Sequence, residues 1–261
     1  MQASKGFTLI EIITVIIIMS ILAGTVVGII RMPVESYLDL QRRNTMLDNV
    51  ESALNMMQRD IRRALPNSVR ITNSGAVLEI LHTTDGGRYR AYPDNSGNGN
   101  ILNFAIQDSG FDVIGSLSAA PTGYLVVYNL GEYPANAYAG NNIASLGPTS
   151  TATEIVLNPA FQFPLPSPQQ RFYIVDTPIT YGCDLVGGNL LRYANYSITA
   201  TQAYPPSGAT AEIQAGSVSA CSFTYSPGTA SHDGLVTIII TLTNSGESSN
   251  LIHQIHVDNA S

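Results

Sequence analysis

Residues Gly6-Phe7-Thr8-Leu9-Ile10-Glu11 open a run that stays apolar to Ile30, and the rest of the chain is read outward from it. From Phe7 to Ile30 the run has 24 residues and one charge, Glu11. As a helix it would reach about 36 Å, enough to cross a hydrocarbon core of about 30 Å. A short polar leader, Met1-Gln2-Ala3-Ser4-Lys5-Gly6, precedes it, and Arg31 and Pro33 follow.

Three readings compete for this segment. A cleaved secretory signal would be cut before Gly24, after Ile21-Leu22-Ala23, but Ile21 is too large for position −3 and a carboxylate lies inside the apolar region. A plain membrane anchor leaves Glu11 unexplained, since an acid in such a helix costs up to about 3 kcal/mol near its centre and less near its end. The third reading explains leader and glutamate together. The six residues stand in register with the cleavage site of type IV prepilins and of the related pseudopilins of type II secretion, and the segment resembles that family. The resemblance implies cleavage by a prepilin peptidase between Gly6 and Phe7, N-methylation of Phe7, and retention of Glu11 at mature position five. Cleavage would expose an α-amino cation at Phe7. A carboxylate on a neighbouring helix, Glu11, could neutralise that amine in low dielectric and fix an axial register that Leu–Ile packing leaves loose.

Counting flanking charges does not orient the segment, because Lys5 faces Arg31, Arg42 and Arg43. The resemblance supplies the orientation, with the leader in the cytoplasm, the helix in the inner membrane as a single pass, and the remainder in the periplasm before entry into a pilus.

A helical pattern continues beyond the apolar run. Leu47, Val50, Leu54, Met57, Ile61 and Leu65 recur at three- and four-residue spacing, while Asp48, Glu51, Arg59, Asp60, Arg62 and Arg63 suit a solvated face. Arg59, Arg62 and Arg63 read either as a binding patch or as a solvated face whose cations suit a helix C-terminus. Pro66-Asn67 marks the stop. We expect one helix from Phe7 to about Ala64, loosened near Gly24, Gly28 and Pro33; the alternative is two helices broken at Pro33.

Beyond Pro66 short β-patterned runs alternate with Gly, Asn, Pro and Ser clusters. Strands are expected at 76–82, 88–92, 101–106, 124–130, 154–158, 172–176, 190–197, 219–225, 235–243 and 251–257, with Asp85-Gly86-Gly87 as a hairpin turn. The stretch Ala135–Thr153 reads as a mobile or partner-contacting loop. The fold class expected is α+β and type IV pilin-like: a long N-terminal helix, membrane anchor then amphipathic spine, packed on a C-terminal antiparallel β-rich head. The divisions are 1–6 leader, 7–30 transmembrane and filament-core helix, 31–65 spine and 66–261 head.

Composition narrows the function classes. The 261 residues are 44% hydrophobic and 12% charged, far from the disordered range. Net charge is −7, and residues 66–261 alone hold five Arg against thirteen acids, or −8. Nucleic acid is therefore not expected as a partner, since phosphate recognition needs clustered cations. Cys183 and Cys221 lie outside any metal-binding spacing and read as one disulfide, with two free buried thiols as the alternative. A bridge over that span would contribute about 4 kcal/mol by loop entropy.

Signals for chemistry are weak. His253 and His256 fall on opposite faces of a strand, and His82 and His232 have no motif around them. Asp94-Asn95-Ser96-Gly97-Asn98-Gly99 has the opening of a calcium loop, but position twelve is Ala105 where a bidentate Glu is required, so a polar turn is expected. No enzymatic motif, cofactor site or metal site is expected. The size of the head favours a low-copy subunit. Gln170–Tyr181 with Cys183, Cys221–Gly228 and Ile255–Ala260 resemble minor pilins of mannose-sensitive haemagglutinin pili. That resemblance implies a role in priming or capping assembly alongside other pilin subunits. Because Glu11 is present, the chain does not resemble the terminal pseudopilin that lacks it. A J-like pseudopilin of type II secretion and an adhesive tip module, contacting through 135–153 and exposed Tyr, are the alternatives.

Overall fold

The computed structural model describes residues 6, 8–228, 233–244 and 246–257, apart from the side chains of residues 27, 28, 30, 31 and 32. One helix, α1, spans Leu9–Arg62 and passes through Pro33 without interruption, so the alternative of two helices does not hold. Two compact units divide the chain, Met1–Asp48 and Asn49–Ser261.

In the first unit, Leu9–Val26 is long and apolar enough to cross a membrane, and none of it is buried. The second unit begins with the last turns of α1, where the apolar stripe is buried at Val50, Ala53, Leu54, Met57 and Ile61. Met57 and Ile61 are fully enclosed, a burial worth roughly 1.5–3 kcal/mol for each side chain. The helix ends as expected. Pro66 has no N–H to continue the ladder, Asn67 turns into the left-handed region at φ 57°, and the Leu65 N–H is taken by the Leu81 carbonyl at 2.8 Å.

Among the described residues twelve strands follow: β1 Arg70–Thr72, β2 Val77–Tyr89, β3 Asp108–Ile114, β4 Tyr124–Val127, β5 Ile143–Ser145, β6 Glu154–Phe161, β7 Arg171–Asp184, β8 Asn189–Ala194, β9 Thr210–Ala215, β10 Val218–Ser226, β11 Gly234–Asn244 and β12 Glu247–Val257. All recorded pairings are antiparallel. The larger sheet runs β5-β4-β7-β2-β3-β6, with β1 on β2 and with β8 and β9 extending from β7; the smaller runs β10-β11-β12. The α+β, pilin-like architecture expected from the sequence is the one found.

Several local expectations are corrected. Asp85-Gly86-Gly87 is not a hairpin turn, because β2 runs straight through it and pairs Gly86 with Tyr173 and Gly87 with Phe172. A Cβ on Gly87 would lie 3.0 Å from the Phe172 ring, so these glycines admit a buried aromatic rather than reverse the chain. Residues 101–106 form no strand, while β3 and β9 arise where none was expected. The stretch 135–153 is not a free loop: β5 lies in it, and Ala135, Ala137, Asn142 and Ala144 are buried. Asp60, assigned to the solvated face, is only 9% exposed.

That buried acid fastens the helix to the larger sheet. Asp60 Oδ2 accepts from the Tyr181 hydroxyl at 2.7 Å and from Arg192 Nε at 2.8 Å. Burial, reinforced by the Asp60 charge, pushes the Tyr181 phenol far above its ordinary range, so it stays a donor. A second buried acid, Glu79, is met by Arg70 Nη2 at 2.6 Å and by the Thr180 hydroxyl at 3.3 Å, yet burial outweighs the arginine and raises its carboxyl. Cys183 of β7 is bonded to Cys221 of β10, with Cα atoms 6.0 Å apart, which ties the small sheet to the large one.

His82 Nδ1 meets Asp176 Oδ1 at 2.9 Å beside the point where the chain leaves α1. Burial alone would raise the Asp176 carboxyl, but hydrogen bonds from His82 and from the Thr177 N–H, with the His82 charge, bring it below 3.8. A carboxyl depressed in the folded state stabilises above its unfolded pKa and loses that contribution as pH falls through the folded one. The stability gap between the native chain and Asp176→Asn, from urea titrations, is therefore expected to hold at pH 6 and to close as the solution is taken well below pH 3.8. A gap that widens on acidification would show the carboxyl is not held down.

Candidate processing and assembly site

Thr8 is the first residue before the helix and sets its start. The Glu11 and Ile12 N–H groups donate to the Thr8 carbonyl at 3.2 and 3.3 Å. Glu11 thus stands in the first turn, where the helix dipole favours an anion. Gly6 is exposed, and among the described residues no atom lies within 4 Å of the position a Cβ would take. Phe7, the expected new terminus and methylation site, lies outside the described residues, as do Lys5 and the rest of the leader.

The hydroxyls of Thr14, Ser20 and Thr25 in the apolar segment are satisfied within the helix. The Thr14 hydroxyl donates to the Ile10 and Glu11 carbonyls at 3.0 and 2.9 Å. Ser20 donates to Ile16 at 2.7 Å, and Thr25 to Leu22 and Ile21 at 2.9 and 3.3 Å. Such back-bonding lets hydroxyls sit in hydrocarbon at little cost. Among the described residues the Glu11 carboxylate has no partner, and the side chains around it are bare: Leu9 is 77% and Ile10 67% exposed. An exposed apolar rod with one unmatched charge needs both a hydrophobic surrounding and a cation.

The comparisons with known proteins bear on this segment. Residues 1–27 match the family model of the prokaryotic N-terminal methylation motif. The motif supports a type IV pilin-like reading of this amino terminus. The match takes in Gly6, Phe7 and Glu11 together with most of the apolar run. The motif implies processing by a prepilin peptidase and assembly with pilin subunits generally, and the apolar helix fits a membrane anchor by length and composition. No curated protein and no solved structure matches the chain.

The other candidates fall differently. The structure pairs Cys183 with Cys221, which removes both thiols from nucleophilic chemistry. His253 and His256 point to opposite faces of β12, as strand spacing requires; Nε2 of His253 meets Gln58 Oε1 at 3.1 Å and His256 is exposed. His232 lies outside the described residues. Asp94 Oδ1 accepts from the Ser96 and Asn98 N–H groups at 2.8 Å each, so the calcium-like loop closes on its own carboxylate. Among the described residues no three His, Cys, Asp or Glu side chains converge as metal ligands. The Asp60–Tyr181–Arg192 cluster escaped the sequence reading. Its only trace there is an acid beside an apolar stripe, with partners 121 and 132 residues away.

Proposed function

We propose that the chain is a minor pilin of a mannose-sensitive haemagglutinin type of pilus, which helps to initiate or cap assembly. In this reading the 1–6 leader is removed between Gly6 and Phe7 and Phe7 is N-methylated. Residues 7–30 then serve as membrane anchor and filament core, 31–65 as spine and 66–261 as a periplasmic head. Glu11 meets the liberated amine of a neighbouring subunit, and the disulfide suits an oxidising compartment. The observation that carries the reading is the methylation motif over residues 1–27, joined to the apolar span Leu9–Val26, whose single charge, Glu11, has no partner among the described residues. The minor, haemagglutinin-type assignment rests on the resemblance of the segments around Cys183 and Cys221. The same motif serves a J-like pseudopilin, and deletion separates the two, abolishing surface fibres in one case and enzyme export in the other.

Mass spectrometry of the amino terminus tests the processing. In cells with a prepilin peptidase the mature chain is expected to begin at methylated Phe7. Without the peptidase it keeps its leader. An intact Met1 in both strains, or a start near Gly24, overturns the proposal.

A further inference from the structure

The small sheet has one unprotected edge. Exposed strand edges are templates for another strand, and proteins blunt them with shortness, prolines, charges or bulges. Edges of the larger sheet carry such devices: β5 has three residues, β6 contains Pro159, and β9 carries Glu212 near its middle. In the small sheet β10 is bonded to β7 through Cys221. β12 differs. All eleven of its residues pair with β11 without a register shift, it contains no Pro, Lys or Arg, and its one acid, Glu247, is at its first position. Among the described residues its outer edge has no backbone partner, and Ile252 is 65% exposed.

A group of cations lies near β12, linked to it through the contact of His253 with Gln58. Arg59 and Arg62 on the last turn of α1 and Arg63 directly after it are exposed and, among the described residues, no side-chain partner engages any of them. With Gln58 they line a groove of about 400 Å3. Gln58 is the residue that His253 of β12 reaches, Arg62 follows it one turn on, and the groove joins Gln58 to all three arginines. The face of β12 that bears His253 also buries Ile255 and Val257.

We infer that β12 and the arginine row form a docking surface for an extended acidic segment of another protein chain, added as a fourth strand to the small sheet. Main-chain hydrogen bonds to β12 would supply affinity. Every second side chain of the added strand falls on the face next to α1, so carboxylates at alternate positions meet the guanidinium groups. Three free arginines in a head that is otherwise strongly negative select an acidic occupant over a basic one. The inference does not rest on processing: a failed peptide experiment leaves the leader cleavage standing, and the reverse also holds.

The test uses the full chain in detergent micelles. Two fluorescent nine-residue probes are compared, Thr-Glu-Val-Glu-Val-Glu-Val-Glu-Thr and the same peptide with Lys for Glu. The acidic probe is expected to bind and to slow amide exchange at alternate residues of β12, while the lysine probe is inert. The triple change R59E/R62E/R63E should weaken binding by about tenfold or more. R59Q/R62Q/R63Q, which keeps good helix formers, should weaken it in the same direction. The proposal fails if the acidic probe does not bind, if affinity is unchanged in both variants, or if β12 gains no protection. It fails equally if the chain alone sediments as a dimer with β12 already protected, which would make a second copy the occupant.

Discussion

Asp60→Ala is expected to destabilise the Asn49–Ser261 unit by about 3–5 kcal/mol, because it leaves the Arg192 guanidinium and the Tyr181 hydroxyl facing each other with their shared acceptor gone. The magnitude follows from burial. Asp60 is 9% exposed and the Arg192 side chain 19%, so water replaces the lost carboxylate poorly. Asp60→Asn keeps an acceptor and should cost less. Removing both charges in Asp60→Leu/Arg192→Met should recover part of the loss, since a buried pair is far costlier to break than to replace with apolar groups. Urea titration of the full chain in detergent, followed by near-ultraviolet circular dichroism, measures all three. A loss below 1 kcal/mol for Asp60→Ala would mean that this acid does not fasten helix to sheet.

Opening the Cys183–Cys221 bond has the next largest expected effect. The bridge spans 38 positions, and releasing that constraint on the unfolded chain corresponds to about 4 kcal/mol. Cys183→Ser/Cys221→Ser should show this loss in urea titration. Because the bond joins β7 to β10, amide exchange should accelerate most in β10, β11 and β12. Equal stability of the oxidised chain and the double variant would contradict the role given to the bond.

How much of this was legible in the sequence depended on whether the signal was local. The Gly6–Glu11 motif and the apolar run are local, and so is the clean alternation of β11, where Val236, Ile238, Ile240 and Leu242 are buried at every second position. Both cysteines could be paired because no others compete. Asp85-Gly86-Gly87 was misread because a tight turn and the close approach of a Phe172 ring call for the same residue. β9, Thr-Ala-Glu-Ile-Gln-Ala, is exposed along most of its length and so has no hydrophobic face to announce it. Asp60 was assigned to solvent because its partners come from β7 and β8, more than a hundred residues downstream. At the amino terminus the residues spell out the motif; in the head they give the texture, and long-range pairing decides the rest.

The account depends most on Glu11 as the partner of a neighbour's amine. The direct measurement is the incorporation of Glu11→Leu into filaments, scored beside the mass of its amino terminus in the same cells. The cleaved, methylated form is expected to accumulate in the inner membrane at a normal level while incorporation falls by at least about tenfold, the loss of more than 1.4 kcal/mol from one desolvated ion pair. Glu11→Leu subunits that enter filaments at the native frequency would contradict it.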